Sequence, residues 1–410
     1  MTSPFPSRCD VLVVGARPAG AATSMLLARA GARVLAIDRG HYGTDTLSTH
    51  ALMRGAVHLL ARWGALDRIR ASGTPAVRTT IFRYGLEDVA VAIKPRGGVD
   101  ALHAPRRSVL DRVLVDLARE AGADVRHGVR LGRLHREGHR VTGATLVDGQ
   151  GDEHQVAAGL VVGADGLGSL VARQVGAESY RQGRHATATV YGHFPGTWTP
   201  EYRWYFSPGV SAGAIPTNDG RACVFATVPA GRFAEVFRPD LAAGFRATLE
   251  RAAPDVVPQV TAASDAVRLH GFGGHAGFLR ESVGPGWMLV GDAAHFKDPI
   301  TAHGITDALR DADLLARAVI DGSETALAGY QEARDELALP IFDVTDAIAS
   351  FAWDLPAVQR LHRHLSEAMA HEVRALEAQA PGSPVTPAYS ASSAPTPRPL
   401  AAAGAPPQGG

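Results

Sequence analysis

The stretch Cys9-Asp10-Val11-Leu12-Val13-Val14-Gly15-Ala16-Arg17-Pro18-Ala19-Gly20 decides the fold of this chain. Its apolar run 11–14 is typical of a buried strand, and the small residues after Gly15 lead into a helical pattern. A second buried run, 34–37, ends on Asp38. A strand, turn, helix and strand with an acid about 20 residues after the glycines is the pattern of a dinucleotide-binding unit.

The glycines and the acid of this unit have separate physical tasks. Gly15 makes the tight turn, Gly20 lets the helix approach the strand, and the helix start offers unpaired N–H groups to a pyrophosphate. Asp38 is placed to accept hydrogen bonds from ribose hydroxyls. Arg17 stands where a middle glycine is usual, so a unit that binds nothing is the alternative. We expect the Arg17 side chain to turn toward a phosphate or toward solvent.

The composition describes a globular protein without a global charge. The chain has 410 residues, enough for one large or two modest domains, with 41 basic and 41 acidic side chains. This balance does not favour binding to nucleic acid or an anionic membrane, and no apolar run is long enough to span a bilayer. Cys9 and Cys223 are expected to be buried free thiols, and no metal site is expected. The first strand begins too close to Met1 for a signal peptide, so we expect a cytoplasmic protein.

Hydrophobic patterning divides the rest of the chain. It predicts paired strands at 77–84 and 88–93, an amphipathic helix at 109–121, a small antiparallel sheet over 124–158, and buried strands at 159–163 and 287–290. Alternating, aromatic-rich runs over 186–274 predict an inserted antiparallel sheet, interrupted by a helix at 241–252. Helices are expected from Thr306 to about residue 376.

Two polar segments can be interpreted either as purely structural or as functional. The loop 41–50 leads into a helix, so Ser48 or Thr49 could simply cap that helix. Arg106 and Arg107 stand at a predicted helix start, where the helix dipole disfavours cations. A negative group nearby would explain them, and two solvated arginines are the alternative.

Three separated segments together resemble the flavin-dependent monooxygenases of the p-hydroxybenzoate hydroxylase fold, and their relatives the flavin halogenases and geranylgeranyl-reductase-like enzymes. The segments are Gly15 to Gly20 with Asp38, Gly163-Ala164-Asp165-Gly166 with Ser169 and Arg173, and Gly291-Asp292-Ala293-Ala294-His295 with Pro299 and Gly304. Their order and approximate spacing agree with that family. Arg107 matches an arginine that such proteins place on the flavin.

The resemblance implies an α/β fold that binds one FAD. A Rossmann-type FAD-binding domain with a parallel sheet would be joined by an inserted antiparallel substrate domain and by C-terminal helices. The expected bounds are 1–75, 101–180 and 275–330 for the FAD-binding domain, 76–100 and 181–274 for the substrate domain, 331–380 for the C-terminal helices, and 381–410 for a disordered tail.

The resemblance also assigns cofactor contacts to residues of this chain. The expected cofactor-binding residues are Gly15, Arg17, Ala19, Gly20, Asp38, Arg39, Arg107, Val129, Asp165, Gly291, Asp292, Pro299, Gly304 and Ile305. Among them, Asp292 would take the ribityl chain and Arg107 would face the pyrophosphate. The backbone of Val129 would touch adenine. Asp165 would act indirectly, so its role is partly structural.

The activity implied by the resemblance is monooxygenation of a small organic substrate, aromatic or polyketide-like, through a C4a-hydroperoxyflavin formed with O2. NADH or NADPH would be a transient reductant, because no second dinucleotide unit is visible. His50 and His303 are the candidate catalytic bases, since imidazole titrates near neutral pH. The alternatives are a helix-start role for His50 and a loop hydrogen bond for His303.

Departures from the family pattern keep two other functions open. The third motif, Pro299-Ile300-Thr301-Ala302-His303-Gly304, looks closer to the reductase-like branch, so reduction of isoprenoid C=C bonds without O2 is the first alternative. The run 211–216 lacks the halogenase tryptophans, and neither Lys94 nor Lys297 matches the halogenase lysine, so halogenation is not favoured. A flavin-binding module without catalysis is the second alternative, supported by Arg17. The oligomeric state stays open.

Overall fold

The computed structural model describes residues 4–379, so the predicted tail 381–410 lies outside the described residues. The strands are β1 (Arg8–Val14), β2 (Val34–Asp38), β3 (Thr79–Tyr84), β4 (Glu87–Ala92), β5 (Asp124–His127), β6 (Arg130–Glu137), β7 (Arg140–Val147), β8 (Glu153–Gly163), β9 (Ser179–Gln182), β10 (Thr187–Pro195), β11 (Glu201–Ser207), β12 (Val210–Thr217), β13 (Arg221–Pro229), β14 (His270–Phe272), β15 (Phe278–Arg280), β16 (Val283–Gly284), β17 (Trp287–Leu289) and β18 (His295–Phe296).

Helices cover and connect these strands. They are α1 (Pro18–Arg29), α2 (Arg54–Arg62), α3 (Leu66–Ala71), α4 (Arg107–Glu120), α5 (Leu170–Val175), α6 (Phe233–Val236), α7 (Leu241–Ala252), α8 (Val257–Ala262), α9 (Gly304–Asp321), α10 (Glu324–Ala349) and α11 (Leu355–Ala378). Among the helices of residues 4–379, none combines the length and the apolar character that a bilayer crossing requires.

The first sheet brings the three sequence motifs together. Its strands run in the order β16-β17-β8-β1-β2-β5, and β7 and β6 continue from the amino half of β8. Parallel pairing places Val14 of β1 beside Ile37 of β2 and Gly163 of β8, and Gly163 also pairs with Leu289 of β17. All three motifs therefore follow the carboxyl ends of neighbouring strands, which is the edge where open α/β sheets bind ligands.

The second sheet is the predicted antiparallel insert. Its order is β14-β10-β13-β12-β11-β3-β4, and every pair is antiparallel except β11 with β3. The predicted pairing of β3 with β4, the hairpin between β12 and β13, and the helix α7 are all confirmed. The sheet class and the C-terminal helices α10 and α11 confirm the predicted α/β architecture.

Side-chain alternation gives the second sheet two buried faces. Tyr191, Trp204 and Phe225 belong to the large core that also contains residues of α1, α4 and α9. Phe194 and Tyr205 lie on the opposite face, in the core that contains residues of α7. The first of these faces is therefore the one turned toward the sheet that carries the three motifs.

The sequence prediction was partly wrong over the segment 124–158, where β7 and β8 pair antiparallel as predicted. β5 was expected in a small antiparallel sheet, but it pairs in parallel with β2 in the main sheet. β6 was not predicted at all, because its sequence Arg-Leu-Gly-Arg-Leu-His-Arg-Glu carries four charged side chains and few apolar ones. The two thiols are as predicted, since Cys9 and Cys223 are buried and free.

Candidate functional site

The turn from β1 to α1 depends on its two glycines. Gly15 has φ +103°, and a Cβ there would lie 2.3 Å from the carbonyl oxygen of Ala164. A Cβ on Gly20 would lie 1.8 Å from the carbonyl oxygen of Gly15. A Cβ on Gly291 would meet the Cβ of Ala19 at 2.9 Å, so the first and third motifs are in contact. Larger side chains at these positions would force the strands and α1 apart.

Asp38, the residue predicted to bind a ribose, organises the backbone at the end of β2. Its carboxylate accepts hydrogen bonds from the backbone N–H groups of Ala16 (2.8 Å) and Gly40 (2.7 Å). The N–H of Val129 donates to the carbonyl oxygen of Asp38 at 3.0 Å, so the two residues predicted on the adenosine are adjacent. Arg39 is exposed and is not among the residues that line the pocket beside Asp38.

Asp38 lines a pocket that also contains aromatic side chains. Tyr42 and His127 form part of its wall, with their rings 5.6 Å apart and close to perpendicular. The Nδ1 atom of His127 is buried and has no hydrogen-bond partner within the described residues. An adenine ring can pack against these aromatic side chains, and its ring nitrogens and amino group can form hydrogen bonds with a group such as His127 Nδ1.

Arg17 and Arg107 share one carboxylate. Arg17 Nη1 lies 2.9 Å from Asp111 Oδ2, while Arg107 Nε lies 2.9 Å from Asp111 Oδ1. The Arg17 side chain is therefore held by Asp111 while about a third of it (35%) stays exposed to solvent, and its contact with a phosphate stays a prediction. Arg107 is buried, so the alternative of a solvated arginine is wrong for it. The neighbouring Arg106 pairs with Asp45.

The charges at this corner fit a diphosphate. Two guanidinium groups, of Arg17 and Arg107, are opposed by the single carboxylate of Asp111. The start of α1 adds the unpaired N–H groups and the partial positive charge of a helix terminus. A surplus of positive charge at a glycine turn is what a pyrophosphate requires.

Asp165 has the partly structural role expected of it. Its carboxylate accepts hydrogen bonds from the hydroxyl of Ser169 (2.5 Å) and from the N–H of Leu170 (2.6 Å). Ser169 in turn caps α5 by accepting from the N–H of Ala172. These bonds hold the turn that follows β8 in place.

Asp292 presents a carboxylate without a partner. The side chain is half-buried, and within residues 4–379 it accepts no hydrogen bond. Burial, followed by the nearby charge of Asp307, raises the pKa of Asp292 to about 6. A partly buried carboxylate that accepts no hydrogen bond from the protein is available to a ligand that supplies donors, and the hydroxyls of a ribityl chain are such donors.

The start of α9 is open to a ligand. Gly304 is exposed, with no atom near the position of a Cβ, and Ile305 is half-buried. Pro299 begins the single turn Pro299–Thr301, and Ala302 follows it in the left-handed region with φ +49°. The 18-residue helix α9 therefore begins at an exposed glycine, and the unpaired N–H groups of such a helix start can donate to a ligand such as a flavin ring.

His303 lies in the loop just before α9 and makes a side-chain hydrogen bond within a buried network of charges, as the alternative to a catalytic role expected. Its Nε2 lies 2.9 Å from Glu372 Oε2 on α11, and its Nδ1 is buried without a partner. Arg310 joins Glu372 (2.7 Å) to Asp307 (2.7 Å), and Lys297 pairs with the same Asp307. The last helix is thereby tied to the start of α9.

His50 forms a pair with a histidine of the second sheet. The Nε2 atoms of His50 and His193 lie 2.6 Å apart, and Cys223 is close to both. His50 has φ +66°, an unusual conformation for a residue with a side chain. Capping of α2 by Ser48 or Thr49 and a helix-start role for His50 are both wrong, because α2 begins after Met53 and has no side-chain cap.

Burial controls the charge of this histidine pair. It holds the pKa of His50 well below its usual value and lowers the pKa of His193 to about 4. Both imidazoles are therefore neutral near pH 7, so one ring donates its N–H and the other accepts.

Two groups of side chains have the composition of metal ligands. They are His50, His193 and Cys223, and His303, Asp307 and Glu372. In the first, the two imidazole nitrogens are at hydrogen-bond distance from each other. In the second, Lys297 and Arg310 already neutralise the carboxylates.

Sequence reasoning missed Asp111, His193, Glu372, Tyr42 and His127. Asp111 was detectable, because it follows Arg107 by four residues on a predicted helix. His193 shares the face of Tyr191 by strand alternation, which also could have been seen. Glu372 lies 69 positions from His303, and no local pattern joins them.

Comparison with known proteins identifies the family. Residues 8–344 match the family described as FAD binding domain. The chain is 30% identical over 322 residues to a digeranylgeranylglycerophospholipid reductase of Methanosarcina acetivorans, covering 75% of this chain and 74% of the relative. It is 27% identical over 347 residues to a menaquinone reductase of Mycolicibacterium smegmatis, covering 78% of each chain.

Solved structures with the same fold have lower sequence identity. A probable FAD-dependent monooxygenase of Pseudomonas aeruginosa superposes with a TM-score of 0.71 at 21% identity, covering 88% of this chain and 100% of that one. The flavin-dependent brominase Bmp2 superposes with a TM-score of 0.75 at 19% identity, covering 91% and 94%. These likenesses establish the fold. This chain belongs to the FAD binding domain family and is an FAD-dependent oxidoreductase of the p-hydroxybenzoate hydroxylase fold.

Proposed function

We propose that this protein is a reductase that uses FAD to saturate C=C bonds in an isoprenoid chain. The similarity to a digeranylgeranylglycerophospholipid reductase, at 30% identity over three quarters of both chains, carries the proposal. The third motif, with Pro299-Ile300-Thr301, supports the same branch of the family. The brominase and the monooxygenase are more distant in sequence and support the fold alone.

The residues around the motifs are proposed to hold the cofactor as follows. Arg17, Arg107 and the start of α1 bind the diphosphate, while Asp38 binds the adenosine ribose. Asp292 accepts hydrogen bonds from the ribityl hydroxyls. When bound, FAD supplies a hydride equivalent, and saturation of a C=C bond requires one proton in addition. Gly304 and Ile305 face the flavin ring with their N–H groups.

The second sheet offers an apolar surface for the substrate. Trp204, Phe206 and Phe225 are buried on the face turned toward the motif-bearing sheet. Aromatic side chains on a sheet provide a large, rigid, apolar wall, which suits a hydrocarbon chain. The N–H shared between His50 and His193 is the proposed route by which a proton reaches the substrate, since this pair lies on the same face.

One observation favours a second candidate function. His50 and His193 are both held neutral, which suits a base that accepts a proton from a phenolic substrate. The alternative is therefore an NAD(P)H-dependent monooxygenase that consumes O2 and hydroxylates an aromatic compound. In that reaction His50 would accept the phenolic proton, and the same apolar face would exclude water.

Product analysis with and without oxygen separates the two candidates. The FAD-loaded protein is reduced with dithionite and mixed either with a digeranylgeranyl glycerophospholipid or with menaquinone, and products are identified by mass spectrometry. The reductase gives a product with two added hydrogen atoms, and removing oxygen leaves turnover intact. A product that gains an oxygen atom only in air would support the monooxygenase and overturn the first proposal.

A further inference from the structure

A second cavity lies away from the proposed FAD site. Its volume is about 650 Å³, and it lies between the end of α3, the start of β3 and the segment 95–103 that leads from β4 to α4. Side chains with hydrogen-bonding capacity dominate its lining, namely Arg70, Thr74, Arg78, Arg96, Asp100 and His103. It shares no lining residue with the pocket beside Asp38. A ligand in this cavity would therefore not compete with the adenosine half of FAD.

Arginines predominate among the charged side chains that line this cavity, and carboxylates outside the lining pair with two of them, Asp67 with Arg70 and Glu377 with Arg96. Asp100 is shared by two arginines, with its Oδ1 atom 2.9 Å from Arg70 and its Oδ2 atom 2.8 Å from Arg78. Arg96 is held by Glu377 of α11 at 2.6 Å. Three guanidinium groups and one carboxylate line the cavity. The shared carboxylate fixes Arg70 and Arg78 side by side and leaves N–H donors on both.

A buried imidazole adds an unsatisfied group to the same cavity. His103 has no exposed surface, and its Nδ1 lies 3.1 Å from the carbonyl oxygen of Pro75. Since a carbonyl only accepts, Nδ1 carries the proton, and Nε2 is left buried without a partner among the described residues. A buried polar atom of this kind normally has a partner, and a ligand or a water that enters beside it can supply one.

We infer that this cavity binds a phosphate group. Each guanidinium group of a pair can donate two parallel N–H···O bonds to two oxygens of a phosphate. A halide is a single atom and cannot accept hydrogen bonds in this geometry. His103 Nε2 can take a hydrogen bond from a P–OH group, or take the proton and donate it back to the oxyanion. The phosphate belongs either to a free phosphorylated molecule or to a phospholipid head group.

The charge of His103 should depend on the ligand. In the empty cavity, burial and the charge of Arg70 lower the pKa of His103. A phosphate offsets the arginine charges and favours the imidazolium, so binding takes up a proton near neutral pH. This inference does not depend on the reaction proposed for the flavin site.

The test uses the full chain loaded with FAD, so that the diphosphate corner at α1 is filled. Inorganic pyrophosphate is titrated by calorimetry at constant ionic strength, in two buffers with different heats of ionisation. Vesicles of phosphatidylcholine, with and without phosphatidic acid, form the second arm. The variants are Arg70→Gln with Arg78→Gln, and as a matched control Arg232→Gln, an exposed arginine paired with Glu235.

We expect saturable binding that the double variant weakens roughly tenfold or more, while Arg232→Gln leaves it unchanged. The two buffers should reveal proton uptake that His103→Phe abolishes. If the protein binds pyrophosphate but not the vesicles, the ligand is a free phosphorylated molecule. If the parent protein binds vesicles that contain phosphatidic acid and the double variant does not, the ligand is a phospholipid head group. If the double variant does not fold, the test uses Arg78→Gln alone, because the Arg78 side chain is 62% exposed and its replacement does not disturb the core. Equal binding by all variants, or no saturable binding of either probe, would overturn the inference.

Discussion

The Nε2 atom of His50 lies 2.6 Å from the Nε2 atom of His193, and this contact joins the loop before α2 to the antiparallel sheet. His50 comes from the loop before α2, and His193 comes from β10 of the antiparallel sheet. The rings are nearly parallel, with centroids 4.9 Å apart. A pair of neutral imidazoles between the loop before α2 and the antiparallel sheet can hold one shared proton, which is the role proposed for it.

Replacing His193 by Gln should reduce turnover without affecting the cofactor. Loss of a positioned proton-transfer group costs roughly 10²-fold or more in kcat. Binding of FAD, followed by flavin fluorescence, should stay unchanged. His139→Gln, at an exposed turn between β6 and β7, is the control and should retain full activity. Normal kcat in the His193 variant would remove the pair from the mechanism.

FAD affinity should depend on pH through Asp292. The pKa of this carboxyl is raised to about 6 in the empty protein, and ribityl hydroxyls favour its ionised form. Binding therefore releases a proton at low pH. Affinity should rise as the pH increases toward about 6 and become constant above it. Equilibrium titrations of the apoprotein across this range measure the effect, and Asp292→Asn should flatten the profile.

Arg17 should contribute a modest, salt-sensitive part of FAD binding. Its guanidinium is 35% exposed and shares Asp111 with Arg107, so Arg17→Gln costs about 0.3–1 kcal/mol of binding free energy. The loss should shrink in high salt. The dissociation constant measured at two salt concentrations tests this, with Arg8→Gln as an exposed control. Tighter binding in the variant would show that Arg17 obstructs the cofactor.

The two lysines of the chain provide a matched pair for a stability test. Lys297→Met leaves Asp307 buried with one cation fewer, so unfolding should become easier by about 3–5 kcal/mol. Lys94 is exposed, and Lys94→Met should change stability by less than about 0.5 kcal/mol. Urea denaturation of both variants measures the difference. Similar midpoints would mean that the buried network does not stabilise the fold.

Local pattern predicted most of the fold and part of the site. Buried runs such as Val11 to Val14 need only hydrophobicity and a turn, and the glycines at 15 and 20 follow from backbone contact. The partner of a strand is not encoded in its own sequence, which is why β5 was expected to pair antiparallel and instead pairs in parallel with β2.

Site residues that depend on distant contacts were harder to predict. Asp111 contacts Arg17 across 94 positions, and Glu372 reaches His303 from the last helix. The functional meaning of His50 depends on His193, whose side chain arrives from another sheet. A motif whose residues lie in one short segment can be recognised in the sequence. A network of side chains from distant segments can be recognised only in the folded structure.

The most direct test is a single anaerobic turnover. Protein with reduced FAD is mixed in a stopped-flow instrument with the digeranylgeranyl glycerophospholipid, and the visible absorbance of oxidised flavin is followed without oxygen. We predict that the substrate reoxidises the flavin and that one C=C bond is saturated per flavin oxidised. The account would be contradicted if the flavin stays reduced with this substrate and with menaquinone until oxygen is admitted, and if the product then carries an added oxygen atom.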